Sequence, residues 1–227
     1  MNSSYKLVLL RHGQSLWNKE NRFTGWEDIN LSPLGIEQAK AAGNTLKKHH
    51  LHFDLAYCSI LKRSIKTLWY TLEAMDMCYL PIQKTWKLNE RHYGSLQGMN
   101  KDEARKKYGE EQVHIWRRSY KTTPPLLKEN TFKGLPQYQE IKTPVLGESL
   151  KDTQDRVLSF WDTNIATQIK KNKTVLIVAH GNSLRALIQH LEDLSEKDLL
   201  NLNIPTGEPI LYHLDSQLKA INSEYLK

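Results

Sequence analysis

Two stretches decide the fold: Tyr5-Lys6-Leu7-Val8-Leu9-Leu10-Arg11-His12-Gly13 and Thr174-Val175-Leu176-Ile177-Val178-Ala179-His180-Gly181-Asn182. Each is a short, near-continuous aliphatic run that stops at a His-Gly pair. A strand with one wet face would alternate apolar and polar residues, so these runs predict strands covered on both faces, over 5–10 and 174–179. Helical patterns fill the space between them. Ser32-Pro33 reads as an N-cap with proline in the first turn, followed by Ile36, Ala39, Gly43 and Leu46 at helical spacing. A second helix is expected from about Ser59 to Met75, with Leu61, Ile65, Leu68 and Leu72 on one face. A third begins at Ser149, where Asp152 completes a capping box, and carries Val157, Trp161, Ile165 and Ile169 inward. Short helices are expected over Ser183–Leu191 and Ser195–Leu202, a strand-like segment over Thr85–Leu88, and a last, alternating strand over Ile210–Leu214. Strands alternating with helices predict an α/β sheet. The proline- and glycine-rich stretch 120–148 lacks periodicity and reads as an insertion over a site.

Composition narrows the class. A chain of 227 residues, 39% hydrophobic and 25% charged, builds a core without staples and is not disordered. No aliphatic run approaches the roughly 20 residues of a membrane span. The start, Met1-Asn2-Ser3-Ser4-Tyr5-Lys6, carries no secretory pattern. Cys58 and Cys78 form neither a disulfide framework nor a metal spacing, so two reduced thiols and a cytoplasmic location are expected. The 32 Lys and Arg against 25 Asp and Glu leave a net charge of +7, which suits an anionic partner of any kind.

In open α/β sheets ligands sit beyond the carboxyl ends of the strands. His12 and His180 both stand there, and two His-Gly pairs at two strand ends outweigh the structural reading that one lone histidine would deserve. Arg11 precedes His12, and Arg63 opens the helix after Tyr57-Cys58-Ser59. Two guanidinium forks and two imidazoles around one point would hold a phosphoryl group and neutralise its oxygens. Neither a P-loop nor the acidic cluster of a two-metal site is present, so this chemistry would use histidine as acceptor without a metal. Glu90, in Leu88-Asn89-Glu90-Arg91-His92-Tyr93-Gly94, is a general acid or base, or else a salt-bridge partner. Arg117-Arg118 would bind a second anion or form a solvated face. His49-His50-x-His52 and the charge runs Arg105-Lys106-Lys107 and Lys170-Lys171-Asn172-Lys173 read as solvated surface.

The motifs resemble the cofactor-dependent phosphoglycerate mutase family. Arg11-His12-Gly13 with Asn18 and Asn21-Arg22-Phe23-Thr24-Gly25-Trp26 resemble its first signature, and Leu61-Lys62-Arg63 with Thr67-Leu68-Trp69 its second. Leu88 to Gly94 with Leu96-Gln97-Gly98, then Lys101, Tyr108 to Val113, Trp116-Arg117-Arg118-Ser119-Tyr120, Glu148-Ser149-Leu150 and Ala179 to Ala186 follow in family order. Arg-His-Gly alone would indicate only the wider histidine phosphatase superfamily; the Asn-Glu-Arg-His-Tyr-Gly and Trp-Arg-Arg-Ser-Tyr stretches point to the mutase branch.

The resemblance implies one domain over 1–227. That domain would be an α/β three-layer sandwich: a mainly parallel central sheet with one antiparallel edge strand, helices on both faces, and an inserted region at about 95–148 over the site. It implies that His12 is phosphorylated, that Arg11, Arg63 and His180 bind the transferring phosphoryl group, and that Glu90 exchanges protons with the substrate hydroxyl. Ser15, Asn18, Thr24, Gly25, Gly181 and Asn182 would cradle the phosphoryl site. Arg91, Tyr93, Lys101, Arg117 and Arg118 would hold the carboxylate and second phosphate. The implied reaction interconverts 3-phosphoglycerate and 2-phosphoglycerate, primed by 2,3-bisphosphoglycerate and needing no metal, in a homodimer with small phosphorylated metabolites as partners and neither nucleic acid nor membrane. Three rivals stand beside it. A phosphatase and a bisphosphoglycerate synthase would share the sites, differing at the tail and in loop 126–147. A basic nucleic-acid-binding protein would leave the paired His-Gly strand ends unexplained.

Overall fold

A computed structural model describes residues 4–227; of the opening segment read above, Met1-Asn2-Ser3 lies outside them. In chain order the elements are β1 (Tyr5–Arg11), α1 (Leu16–Lys19), α2 (Pro33–Lys48), β2 (Leu55–Ser59), α3 (Lys62–Ala74), β3 (Ile82–Thr85), α4 (Lys101–Tyr108), α5 (Glu110–Arg118), α6 (Leu150–Phe160), α7 (Ala166–Ile169), β4 (Val175–Ala179), α8 (Gly181–Glu192), α9 (Glu196–Asn201), β5 (Pro209–Leu214) and β6 (Ala220–Tyr225). The strands make one sheet in the order β3-β2-β4-β1-β5-β6. Pairs β1–β4, β2–β4 and β2–β3 are parallel, whereas β5 runs against both β1 and β6.

The two quoted runs are the centre of this sheet, paired from Leu7 with Val175 to Arg11 with Ala179. Their side chains divide between two cores. Leu7, Leu9, Val175, Ile177 and Ala179 pack under α6 and α8, with Val157, Trp161, Leu184 and Leu187. Val8, Leu10, Leu176 and Val178 pack under α2 and α3, with Leu46, Leu68 and Leu72. Both faces are dry, which is why these strands carry no polar alternation. Each buried Leu, Ile or Val stabilises the sandwich by roughly 1.5–3 kcal/mol.

Caps place the helices as expected. The Ser32 side chain accepts from Gly35 N–H with Pro33 at the first position, and Ser149 and Asp152 form the capping box of α6. The inward row Val157, Trp161, Ile165, Ile169 repeats every four residues and overruns a 3.6-residue turn by about 0.4 residue each time. A π-helical turn over Trp161–Ile165 absorbs that excess, so all four stay buried.

Three details differ from expectation. Strand β3 ends at Thr85, whose hydroxyl accepts from Lys87 N–H and turns Trp86–Leu88 into a 3-10 helix rather than a strand. Ile210–Leu214 lies within β5, which is not the last strand: β6 follows it and takes the sheet edge. β5 is thus the single reversed strand, one position in from the edge. The charge-rich segment after residue 100 forms two helices, α4 and α5, seeded by the Asn100 cap and by a small core of Phe23, Leu96, Ala104 and Val113. The stretch 120–148 is irregular apart from a turn at Pro136–Tyr138, pinned by Trp26, Phe132 and Tyr138. No helix of the described residues is long and apolar enough to cross a membrane.

Candidate active site

The carboxyl ends of β1 and β4 are tied together: His12 N–H donates to the Ala179 carbonyl at 3.0 Å. The imidazoles of His12 and His180 consequently meet with ring centroids 4.8 Å apart. His12 Nδ1 lies 2.7 Å from the Gly13 carbonyl oxygen. A carbonyl only accepts, so Nδ1 carries the proton and Nε2 keeps its lone pair. Burial holds His12 well below the usual histidine range, with Arg63 and Arg11 pushing the same way. His180 is lowered by burial, then by Arg63 and His12, and its Nε2 sits 2.7 Å from Ser59 Oγ. Both rings are therefore neutral at physiological pH. Two glycines let the backbone approach here. A Cβ on Gly13 would lie 2.1 Å from the Gly35 carbonyl oxygen, so the start of α2 packs against the His12 loop only because neither residue has a side chain.

Arg63 and Arg11 flank the imidazoles. Arg63 donates to the carbonyls of Glu27 at 2.8 Å and Gly25 at 2.7 Å. Burial brings it down to about 10, against the pull of Glu90, so it remains charged. Arg11 donates to the Ile204 carbonyl at 2.6 Å. Among the described residues Arg11 Nε, Arg63 Nε and Thr24 Oγ1 are buried with no hydrogen-bond partner. Unpaired buried donors cost roughly 1–3 kcal/mol each, a cost that an anion seated between them would relieve.

Glu90 follows the 3-10 turn after β3. Its Oε1 accepts from Arg91 N–H at 2.7 Å, Asn182 N–H at 3.1 Å and Asn182 Nδ2 at 2.8 Å. Gly181 and Asn182 form the first turn of α8, whose positive end thus faces the cleft. A Cβ on Gly181 would meet Arg11 Nε at 3.6 Å and Glu90 Oε2 at 3.7 Å, so the arginine and the carboxylate both close on the same glycine.

The inserted region adds a second group of cations to the cleft, Lys101 from α4 and Arg117 and Arg118 from the end of α5, while α8 adds Arg185. Burial pulls Lys101 down to about 8, helped by Arg117 and Arg11. The cleft is lined by seven cations, Arg11, Arg22, Arg63, Lys101, Arg117, Arg118 and Arg185, and by a single carboxylate, Glu90.

Of the site residues read from sequence, Arg11, His12, Asn18, Thr24, Gly25, Arg63, Glu90, Tyr93, Lys101, Arg117, Arg118, Gly181 and Asn182 line this one cleft. Three do not. His180 lies behind His12. Ser15 is fully buried as the N-cap of α1, exchanging bonds with Asn18. Arg91 is buried behind the wall, where it donates to the Trp116 carbonyl and stacks over the Tyr93 ring at 4.7 Å. Arg22, Arg185 and Asn203 line the cleft without having been singled out. The arginines sit inside the quoted motifs, the only signal that could have found them; Asn203 gave none. His49, His50 and His52 are exposed, and no cluster of three or more metal-ligating side chains occurs among the described residues.

The fold and this strand-end site define a phosphoryl-transfer class, and the match to the histidine phosphatase superfamily (branch 1) covers residues 7–223: the chain belongs to that superfamily. Members are phosphoryl-transfer enzymes. Among solved structures, it is similar to a mycobacterial glucosyl-3-phosphoglycerate phosphatase (TM-score 0.74, 24% identity, covering 97% of each chain). It is similar to the α-ribazole phosphatase of Shigella flexneri (0.73, 22%, 97% of this chain and 95% of that one). It is also similar to the phosphoglycerate mutase of Bacillus anthracis str. Sterne (0.66, 23%, 93% and 89%). These likenesses concern the fold; one scaffold carries all three named activities, so the reaction must be argued from the site.

Proposed function

We propose that this chain is a phosphoglycerate mutase that interconverts 3-phosphoglycerate and 2-phosphoglycerate through a phosphohistidine on His12, primed by 2,3-bisphosphoglycerate and without a metal. One observation carries the reading: seven cations to one carboxylate line the cleft, Arg11 and Arg63 from beside the strand ends, Lys101, Arg117 and Arg118 from the insertion, with Arg22 and Arg185 beside them. Removing a phosphoryl group calls only for the strand-end group. The insertion's group suits a substrate that carries another anion at its far end, as a phosphoglycerate does.

The residues fit such a ligand. The unpartnered donors of Arg11, Arg63 and Thr24 would take the oxygens of the phosphoryl group being moved. Lys101, Arg117, Arg118 and Arg185 would take the carboxylate or second phosphate. Bound bisphosphate supplies the phosphoryl group that loads the enzyme. His12 Nε2 attacks phosphorus, and the P–O bond breaks as Glu90 gives its carboxyl proton to the departing oxygen. In the second half, the Glu90 carboxylate takes the hydroxyl proton of the bound phosphoglycerate, that oxygen attacks phosphorus, and the P–Nε2 bond breaks. Arg11 and Arg63 neutralise the charge that spreads over the equatorial oxygens. A homodimer is part of the proposal, supported by exposed Trp69 on α3 and exposed Tyr79 in the turn leading to edge strand β3.

The test is a coupled assay of 3-phosphoglycerate isomerisation in EDTA, with and without catalytic 2,3-bisphosphoglycerate, while free phosphate is followed. Bisphosphate-stimulated isomerisation with little phosphate released is the expected result. Phosphate release without isomerisation would move the protein to the phosphatase side of the superfamily.

A further inference from the structure

Arg156, far along α6 in sequence, uses all five guanidinium N–H groups. Nε and one Nη2 hydrogen go to the Glu148 carboxylate at 2.6 and 2.9 Å. The other three go to backbone carbonyls of one short turn: Lys87 at 2.7 Å, Asn89 at 2.9 Å and Glu90 at 2.9 Å. That turn carries the Glu90 side chain into the cleft. The Glu90 carbonyl also accepts from Trp26 Nε1 at 2.7 Å, so its peptide is gripped from two sides. Glu148 in turn accepts from His92 N–H at 2.8 Å, and its own N–H donates to the His92 carbonyl at 2.9 Å. Residues 87–92 therefore hang on one buried ion pair, and Glu148 stands where the irregular stretch 120–148 ends. A buried ion pair alone explains little about function, since apolar packing would often stabilise as well. The direction of the fork, onto the backbone that bears the carboxylate, is what apolar packing could not reproduce.

We infer that Arg156, held by Glu148, is a positioning residue that sets the reach of the Glu90 carboxylate toward the substrate oxygen. This rests on the acid–base role given to Glu90 above. Lysine keeps the charge but cannot span three carbonyls and a carboxylate.

The experiment compares two half-reactions in the full-length protein at a temperature well below each variant's melting point. The first is the single-turnover burst of dinitrophenolate from 2,4-dinitrophenyl phosphate, which loads His12 while releasing a group that needs no proton. The second is isomerisation of 3-phosphoglycerate, which does need one. Arg156→Lys is expected to lower kcat for isomerisation about 10- to 100-fold, as for a misplacement near 1 Å, with KM within about twofold and the burst within about threefold. Glu148→Gln, which preserves shape, gives a smaller loss in the same direction should Arg156→Lys fail to fold. In a Glu90→Gln background, Arg156→Lys is expected to add nothing. Equal losses in both half-reactions, losses that add to those of Glu90→Gln, or a lowered melting point with unchanged kcat would overturn the positioning role. If Glu90→Gln itself leaves isomerisation intact, the acid–base reading fails instead.

Discussion

The two poles of the cleft are built in opposite ways. The strand-end pole draws His12 from just past β1 and Arg63 from the first turn of α3, with His180, just past β4, behind them, and all three are almost wholly buried. The far pole draws Lys101, Arg117 and Arg118 from two short helices with one buried residue each, Ala104 and Val113, and these cations stay partly exposed. Rigid, dry surroundings fix the proton positions of the reacting groups and strengthen every charge around them. Wetter cations at the far pole would recognise a ligand's charge without fixing its orientation. The difference predicts chemistry at one pole and selection of substrate at the other.

The largest effect should come from the first pole. His12→Ala is expected to abolish both phosphorylation and isomerisation, a loss beyond about 10⁴-fold; retained isomerisation would erase the distinction between the poles. Next, replacing Arg117 and Arg118 together with alanine should lower kcat/KM for 3-phosphoglycerate about 10- to 100-fold, mostly through KM, as expected for lost charge-assisted hydrogen bonds. The burst with 2,4-dinitrophenyl phosphate, which lacks a second anion, should hardly change. A comparable loss with both substrates would mean that the far pole also shapes the reacting centre.

A smaller effect depends on pH. Lys101 titrates near 8, so it is charged below that value and neutral above it. KM for 3-phosphoglycerate should rise by up to about tenfold between pH 7 and 9, and Lys101→Arg should remove the rise. Smallest is a stability effect belonging to the buried pole. His12 and His180 lie well below 6.5, and His92 is brought down to about 4 by burial. Below pH 6.5 the unfolded chain binds protons that the folded one refuses, so stability falls with pH. By pH 5.5 the loss from His92 is about 1 kcal/mol, with His12 and His180 acting in the same direction, readable in urea midpoints.

The same contrast governs what could be read from sequence. The buried pole was legible because β1 and β4 are continuous aliphatic runs that stop at the residues they present. Strand β2 was not, being only Leu55–Ser59 with polar residues near its end. β6 exposes nearly its whole length, so no apolar face marks it. Helices α4 and α5 are mostly charged, and the Asn100 cap of α4 and the contact with Phe23 hold them. Ser15 and Arg91 show the reverse limit: motif position brought them into the expected site, whereas a cap and a carbonyl behind the wall are what they serve here. Arg156 was invisible, and Glu148 stood in a quoted motif without a role, for a plainer reason: no local pattern tells that three donors of one guanidinium converge on a turn more than sixty residues away.

The most direct measurement is the chemical form of the loaded enzyme. The protein would be incubated with phosphorus-labelled 2,3-bisphosphoglycerate, quenched in alkali and digested, and the labelled peptide's phosphohistidine isomer assigned by NMR. Because the Gly13 carbonyl holds Nδ1–H, label on Nε2 of His12 is expected, discharged when 3-phosphoglycerate is added. Label on another residue or on none would contradict the central role of His12, and label on Nδ1 would contradict the orientation that the Gly13 carbonyl gives it.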